Sequence, residues 1–115
     1  MNTGFGWIQI GNETYDHDVI IHADGRVTRR VKKRSKHLRS EYGHTPLSPD
    51  ELDFLADEHP EVVFVGRGQY GDLPLTPEAQ EQLSAYHPVI GSTPDLLTVI
   101  ENEKRRYVAI LHVTC

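Results

Sequence analysis

The chain has 115 residues, of which 37% are hydrophobic and 25% charged, and its formal net charge at pH 7 is −5. This length fits one domain, residues 1–115, and no run approaches the roughly 18 apolar residues that a membrane-spanning helix requires. Met1–Gly6 lacks the basic and apolar regions of a secretory signal, and one cysteine, Cys115, excludes an internal disulfide. We therefore expect a cytoplasmic protein without membrane insertion.

The first part of the chain, residues 1–34, predicts antiparallel β-hairpins. Phe5–Ile10 alternates apolar and polar residues and is followed by Gly11-Asn12, a two-residue turn signal. The apolar run Val19–Ile21 leads to a second turn at Asp24-Gly25, where glycine supplies the positive φ that a type I′ turn requires. The strand predicted after this turn is strongly basic.

Three similar motifs predict helix starts in the second part of the chain, residues 48–115. They are Ser48-Pro49-Asp50-Glu51, Thr76-Pro77-Glu78 and Thr93-Pro94-Asp95. Each places a hydroxyl at the N-cap, proline at the first helical position and an acid in the first turn, where it faces the positive end of the helix. Glu51 is also spaced to complete a capping box with Ser48.

Short apolar runs between these motifs predict strands. They are Val62–Val65, Val89-Ile90 and Tyr107–Val113, and the last is apolar on both alternating faces. A strand buried on both faces is typical of a parallel sheet between helices. The alternation predicts an α/β fold, namely a three-layer α/β/α sandwich with a mixed, mainly parallel central sheet and an N-terminal antiparallel β-hairpin portion at its edge.

Basic residues are concentrated between Arg26 and Arg39, which holds eight of the twelve Lys and Arg residues and no acid. Such a segment either contacts an acidic partner or is neutralised by the acidic remainder of the chain. Binding of nucleic acid is not favoured, because no aromatic residues that could stack on bases are interleaved with the basic residues.

The segment from Ser35 to Leu47 shows no hydrophobic periodicity, and we expect an exposed irregular loop there. The predicted partner-binding residues are Arg29, Arg30, Lys32, Lys33, Arg34 and Lys36.

Glycines cluster in the segment Gly66–Gly71, which has the spacing G-x-G-x-x-G and directly follows a predicted strand. A dinucleotide site requires a helix to open within this motif, but Pro74 intervenes and the next cap lies at Thr76. Two interpretations remain: a loop whose N–H groups and Arg67 hold a smaller anion or nucleotide, or a turn that lets the chain leave the sheet. The predicted ligand-binding residues are Gly66, Arg67, Gly68, Gln69, Tyr70 and Gly71.

The seven histidines and the cysteine show no metal-binding spacing, so no metal and no cofactor are predicted. No nucleophile lies in a recognisable catalytic motif. His112 and Cys115 are three residues apart and would point to opposite faces if the last strand continued to Cys115. A pocket built from His44, Asp18 and His112, which are distant in sequence, remains a hypothesis.

The sequence resembles the MTH-938-like family, also described as domain of unknown function 498, along nearly its whole length. The segments that carry the resemblance are Phe5–Ile8, His17–Ile21, Asp24–Val27, His44–Ser48, Val63–Gly71, Ser92–Pro94 and Leu111–Cys115. The resemblance implies the same three-layer sandwich and carries over no catalytic residue. The family includes a mitochondrial assembly factor for respiratory complex I and an adipogenesis-associated cytosolic protein.

Taken together, these features predict a non-catalytic interaction or assembly protein with an unidentified protein partner. The alternative is an enzyme or a binder of a small anionic ligand or nucleotide at Gly66–Gly71. A homodimer is a further expectation, because a hairpin edge strand would otherwise stay unpaired.

Overall fold

The structure, a computed structural model, describes all residues from 1 to 115 and contains two β-sheets. A small antiparallel sheet has the strand order β1-β2-β3, and a larger sheet has the order β5-β4-β8-β6-β7. The strands are β1 Asn2–Gly4, β2 Trp7–Ile10, β3 Glu13–Tyr15, β4 Val19–Ile21, β5 Val27–Arg29, β6 Val62–Arg67, β7 Val89–Gly91 and β8 Tyr107–His112. The α-helices are α1 Arg39–Tyr42, α2 Leu55–Glu58, α3 Pro77–Leu83 and α4 Thr93–Glu101.

The central sheet is mixed, as predicted. β8 pairs with β6 in parallel over six residue pairs, and β6 pairs in parallel with β7. β4 pairs antiparallel with both β8 and β5, so the second hairpin extends the sheet at one edge. The first hairpin forms the separate small sheet with β1. The α/β class is confirmed, with two parallel and two antiparallel pairs in the central sheet.

Two hydrophobic clusters lie on opposite faces of the central sheet and define three layers. On one face, Val63 and Ile110 pack with Leu52, Leu55 and α3. On the other face, Phe64 packs with α4 and with the small sheet. Because β6 and β8 contribute side chains to both clusters, nearly all their residues are buried, which explains their continuous apolar sequence.

The three prolines of the predicted helix starts each open a helical segment, but two caps differ from the prediction. Thr76 caps α3, and its hydroxyl accepts a hydrogen bond from the Ala79 N–H. α4 is capped by Ser92 rather than Thr93. Ser48 forms no cap, and the segment after it is a 3₁₀ turn, Pro49–Glu51. The capping box is therefore wrong, because Glu51 faces the interior and binds Arg30 instead.

The basic segment is helical rather than extended beyond Arg29. β5 ends at Arg29, and a seven-residue 3₁₀ helix, Lys32–Leu38, leads into α1. The strand predicted after the Asp24-Gly25 turn is present as β5, whereas the irregular loop predicted from Ser35 to Leu47 was wrong over residues 35–42, which are helical. Only Ser35 of the 3₁₀ helix is buried, so the segment has no apolar period by which a helix could be recognised.

None of the helices has the length and hydrophobicity that a membrane span requires.

Candidate functional site

A buried ion cluster lies where the hairpin β4–β5 meets the 3₁₀ turn Pro49–Glu51. The Arg30 side chain is 1% exposed. Its Nε and Nη2 donate to the two carboxylate oxygens of Glu51 at 2.7 and 3.0 Å, and its Nη1 donates to Asp18 Oδ2 at 2.9 Å. Burial alone would lower the pKa of Arg30, but the hydrogen bonds and charges of Glu51 and Asp18 raise it above its usual value. Arg30 is therefore a structural cation.

Asp18 connects this cluster to the end of the central strand. Its Oδ1 accepts a hydrogen bond from the Val113 N–H at 2.9 Å, and its Oδ2 lies 2.7 Å from His112 Nδ1. Burial acts to raise the pKa of Asp18, but the hydrogen bond and charge of His112, the charge of Arg30 and the Val113 N–H outweigh it and lower the pKa to about 2. Asp18 is therefore ionised in the folded protein at neutral pH.

The depressed pKa of Asp18 predicts a loss of stability in acid. Because this pKa is about 2 in the folded chain against 3.8 ordinarily, the ionised carboxylate stabilises the fold by about 2 kcal/mol above pH 3.8. That contribution disappears as the pH falls from 3.8 through 2. We expect urea unfolding of the wild type and of Asp18→Asn to show a stability difference that shrinks by about 2 kcal/mol between pH 5 and pH 2. A difference that stays constant over this range would contradict the prediction.

His112 is held between Asp18 and a hydroxyl. Its Nδ1 faces the Asp18 carboxylate, and its Nε2 lies 3.1 Å from Thr114 Oγ1. Such a pairing fixes the orientation of the ring and directs Nε2 towards the Thr114 hydroxyl. β8 ends at His112, so the alternation of faces does not extend to Cys115. The condition under which His112 and Cys115 would point to opposite faces is therefore not met, and both residues line one cavity.

The glycine segment Gly66–Gly71 does not offer its backbone to an external anion. Gln69 N donates to Thr114 O at 2.7 Å, and Tyr70 N donates to Cys115 O at 3.3 Å. Gly68 N donates to the hydroxyl of Thr93, which in turn donates to the His112 carbonyl. The loop N–H groups are thus engaged by this chain's own residues, which corrects the first interpretation of the segment.

Two side chains of the glycine segment form hydrogen bonds within the chain. Arg67 Nε donates to the Leu73 carbonyl at 2.8 Å, and Gln69 Nε2 donates to Thr3 Oγ1 at 3.1 Å. Tyr70 is 71% exposed, and its ring lies 6.2 Å from that of Phe5. The main chain of the segment binds Thr114 and Cys115 and holds these residues in place.

A cavity of about 350 Å³ opens beside His112. We call it the cation-lined cavity. Most of its wall is polar or charged, and it joins the end of β8 to the basic helical segment and to two loops. The lining residues are Arg30, Lys32, Lys36, Arg39, His44, Thr45, Asp72, Leu73, Pro74, His112, Thr114 and Cys115. His44, Asp18 and His112 therefore meet at this cavity, with Asp18 beneath it as the partner of His112.

The predicted partner-binding residues fall into three groups. Arg30 is buried in the ion cluster, and its assignment to a contact surface was wrong. Arg34 is exposed but donates to both oxygens of the Asp53 carboxylate at 3.0 and 3.1 Å. Four exposed cations form no ion pair and line one surface depression, which we call the basic surface: Arg29, Lys32, Lys33 and Lys36.

Sequence reasoning missed Arg39, Thr114 and Asp72 as wall residues of the cavity. Arg39 was counted among the basic residues but was assigned to an irregular loop. Thr114 and Asp72 are single polar residues without a motif, and only the fold brings them to one place. No group of three or more His, Cys, Asp or Glu side chains is arranged to hold a metal ion.

Three solved structures are similar to this chain. The conserved hypothetical protein PH1505 from Pyrococcus horikoshii OT3 is 33% identical with a TM-score of 0.86, over 100% of this chain and 98% of that chain. MT938 is 28% identical with a TM-score of 0.80, over 100% of this chain and 96% of that chain. A Mth938-like domain protein from Bordetella pertussis is 25% identical with a TM-score of 0.51, over 95% of this chain and 81% of that chain. No family model and no curated protein matches the chain.

Proposed function

Because this chain belongs to the MTH-938-like family, we propose that it is a non-catalytic interaction or assembly protein whose basic surface binds an acidic protein partner. The resemblance motivates the assembly role, since the family includes an assembly factor. The observation that carries the proposal is the charge of the basic surface. Arg29, Lys32, Lys33 and Lys36 are exposed and have no carboxylate partner within the chain, although seventeen acids are present.

Unpaired cations on one surface attract a negatively charged partner before contact and set its orientation. The acidic remainder of the molecule favours such a partner at this surface alone and repels it elsewhere. Arg34 does not add to this field in the same way, because Asp53 compensates its charge. The single cysteine suits a reducing compartment, and we place the interaction in the cytoplasm.

The basic surface is tested by charge reversal. We expect the variant Arg29→Glu/Lys32→Glu/Lys33→Glu/Lys36→Glu to keep the circular dichroism spectrum of the wild type, because all four side chains are exposed. In affinity capture followed by quantitative mass spectrometry, the variant should lose proteins that the wild type retains at low salt and releases at high salt.

A matched pair of single variants tests whether capture depends on where the reversed charge lies or only on the change in net charge. Lys33 and Lys104 are both exposed lysines without an ion pair, but only Lys33 lies on the basic surface. Lys33→Glu should weaken capture and Lys104→Glu should not. Equal capture by the quadruple variant and the wild type would remove the basic surface from the function.

A further inference from the structure

The cation-lined cavity has an excess of positive charge that the chain does not compensate. Three of its wall residues, Lys32, Lys36 and Arg39, are exposed cations without an ion pair. Asp72 is the one acidic side chain in the wall, and it forms no ion pair either. Arg30, the fourth cation of the wall, is already compensated by Asp18 and Glu51. The unpaired charge of the wall is therefore positive, which favours an anion.

The remaining polar groups of the wall are suited to oxygen atoms of a ligand. Thr45 provides a hydroxyl and His44 provides an imidazole. Thr114 provides a further hydroxyl, whose oxygen lies 3.1 Å from His112 Nε2. His112 positions this hydroxyl, because Asp18 holds the other ring nitrogen, Nδ1, at 2.7 Å. Hydroxyl and imidazole donors combined with cations make the charge-assisted hydrogen bonds by which oxyanions are bound most strongly.

We propose that the cation-lined cavity binds the phosphomonoester group of a small polar metabolite. A phosphomonoester carries close to two negative charges and three strong acceptor oxygens at neutral pH. Three unpaired cations with further donors suit that group better than a single carboxylate, which has two oxygens and one charge. The cavity of about 350 Å³ is near the lower end of ligand pockets, and its polar wall selects a hydrophilic molecule.

This site differs from the anion-binding loop expected from the sequence. That expectation used the N–H groups of Gly66–Gly71, which bind the main chain of Thr114 and Cys115. The loop contributes indirectly, because it holds Thr114 and Cys115 in the cavity wall. The site shares Lys32 and Lys36 with the basic surface. It differs from that surface at its other residues, since Arg39, His44 and His112 line the cavity and Arg29 and Lys33 do not.

Isothermal titration calorimetry at low ionic strength tests the proposal with ribose 5-phosphate, inorganic phosphate, ribose and citrate as probes. We expect saturable binding of ribose 5-phosphate, weaker binding of inorganic phosphate and none of ribose. The variant Arg39→Gln/His44→Gln should raise the Kd of ribose 5-phosphate about tenfold or more, because it removes the guanidinium cation of Arg39 and the imidazole of His44. Both side chains are exposed, so the fold is not at risk.

The matched control is Arg29→Gln/Lys33→Gln, which removes two cations of the basic surface outside the cavity. It should change that Kd by about twofold or less. Three outcomes would overturn the proposal. Neither phosphate probe shows saturable binding, both double variants lose the same affinity for ribose 5-phosphate, or citrate binds as tightly as ribose 5-phosphate. Failure here leaves partner capture by the basic surface intact, so the two proposals fail separately.

Discussion

Replacement of Arg30 by glutamine is expected to destabilise the folded protein by about 3–5 kcal/mol, because it leaves two buried carboxylates without their cation. Asp18 and Glu51 are 8% and 5% exposed, and both rely on the Arg30 guanidinium. The loss is large compared with the roughly 5–15 kcal/mol by which domains of this kind are stable. Urea unfolding followed by circular dichroism measures it.

Two comparisons show whether the loss arises from the buried charges. Arg34→Gln breaks a bidentate pair with Asp53 on the surface and should shift the unfolding midpoint far less, since solvent screens that pair. The double variant Arg30→Gln/Glu51→Gln should be less destabilised than the two single variants combined, because it removes one uncompensated charge. Equal losses for Arg30→Gln and Arg34→Gln would contradict the structural role of Arg30.

Substitution of Gly68 by alanine is expected to destabilise the protein by about 2–4 kcal/mol, from backbone strain and from a collision. Gly68 has φ +97°, a conformation that side chains disfavour. A Cβ atom there would collide with the main-chain carbon of Cys115 and lie 2.6 Å from the Thr114 carbonyl oxygen. Because Thr114 and Cys115 line the cation-lined cavity, the same variant should also weaken ribose 5-phosphate binding. Thermal unfolding and calorimetry measure the two effects.

Gly71 provides the matched control for Gly68 within the same segment. It has φ +75°, but a Cβ atom there would meet no atom within 4 Å. Gly71→Ala should therefore show only the strain of about 1–2 kcal/mol and leave the cavity unchanged. If the two alanine variants were equally stable, the close approach of Thr114 and Cys115 to Gly68 would not be a determinant of the fold.

The architecture was predictable because its signals are local. Proline at the first or second position fixes φ near the helical value and lacks the N–H that a helix start leaves unsatisfied, so Pro49, Pro77 and Pro94 indicated helical segments from their immediate neighbours alone. The continuous apolar runs of β6 and β8 are also local signals, and they indicated strands buried on both faces. Two caps were misplaced because tertiary contacts engage the predicted hydroxyls. Thr93 is buried against Gly68 and His112, and Ser92 caps the helix instead. The Ser48 hydroxyl lies 2.7 Å from that of Ser35 and caps no helix.

The sequence by itself determined the α/β class, the starts of the three helical segments at Pro49, Pro77 and Pro94, most strands, and the location of the excess positive charge. The tertiary structure alone decided which charged and polar groups are available. Asp18 and His112 are separated by 94 residues, and only the antiparallel pairing of β4 with β8 brings them together. Asp18 and Glu51 likewise hold Arg30 in the interior, and Thr93, Thr114 and Cys115 occupy the N–H groups of residues 68–70. A charge or a hydrogen-bond donor acts on a ligand only where folding leaves it without a partner, and partners distant in sequence carry no local signal.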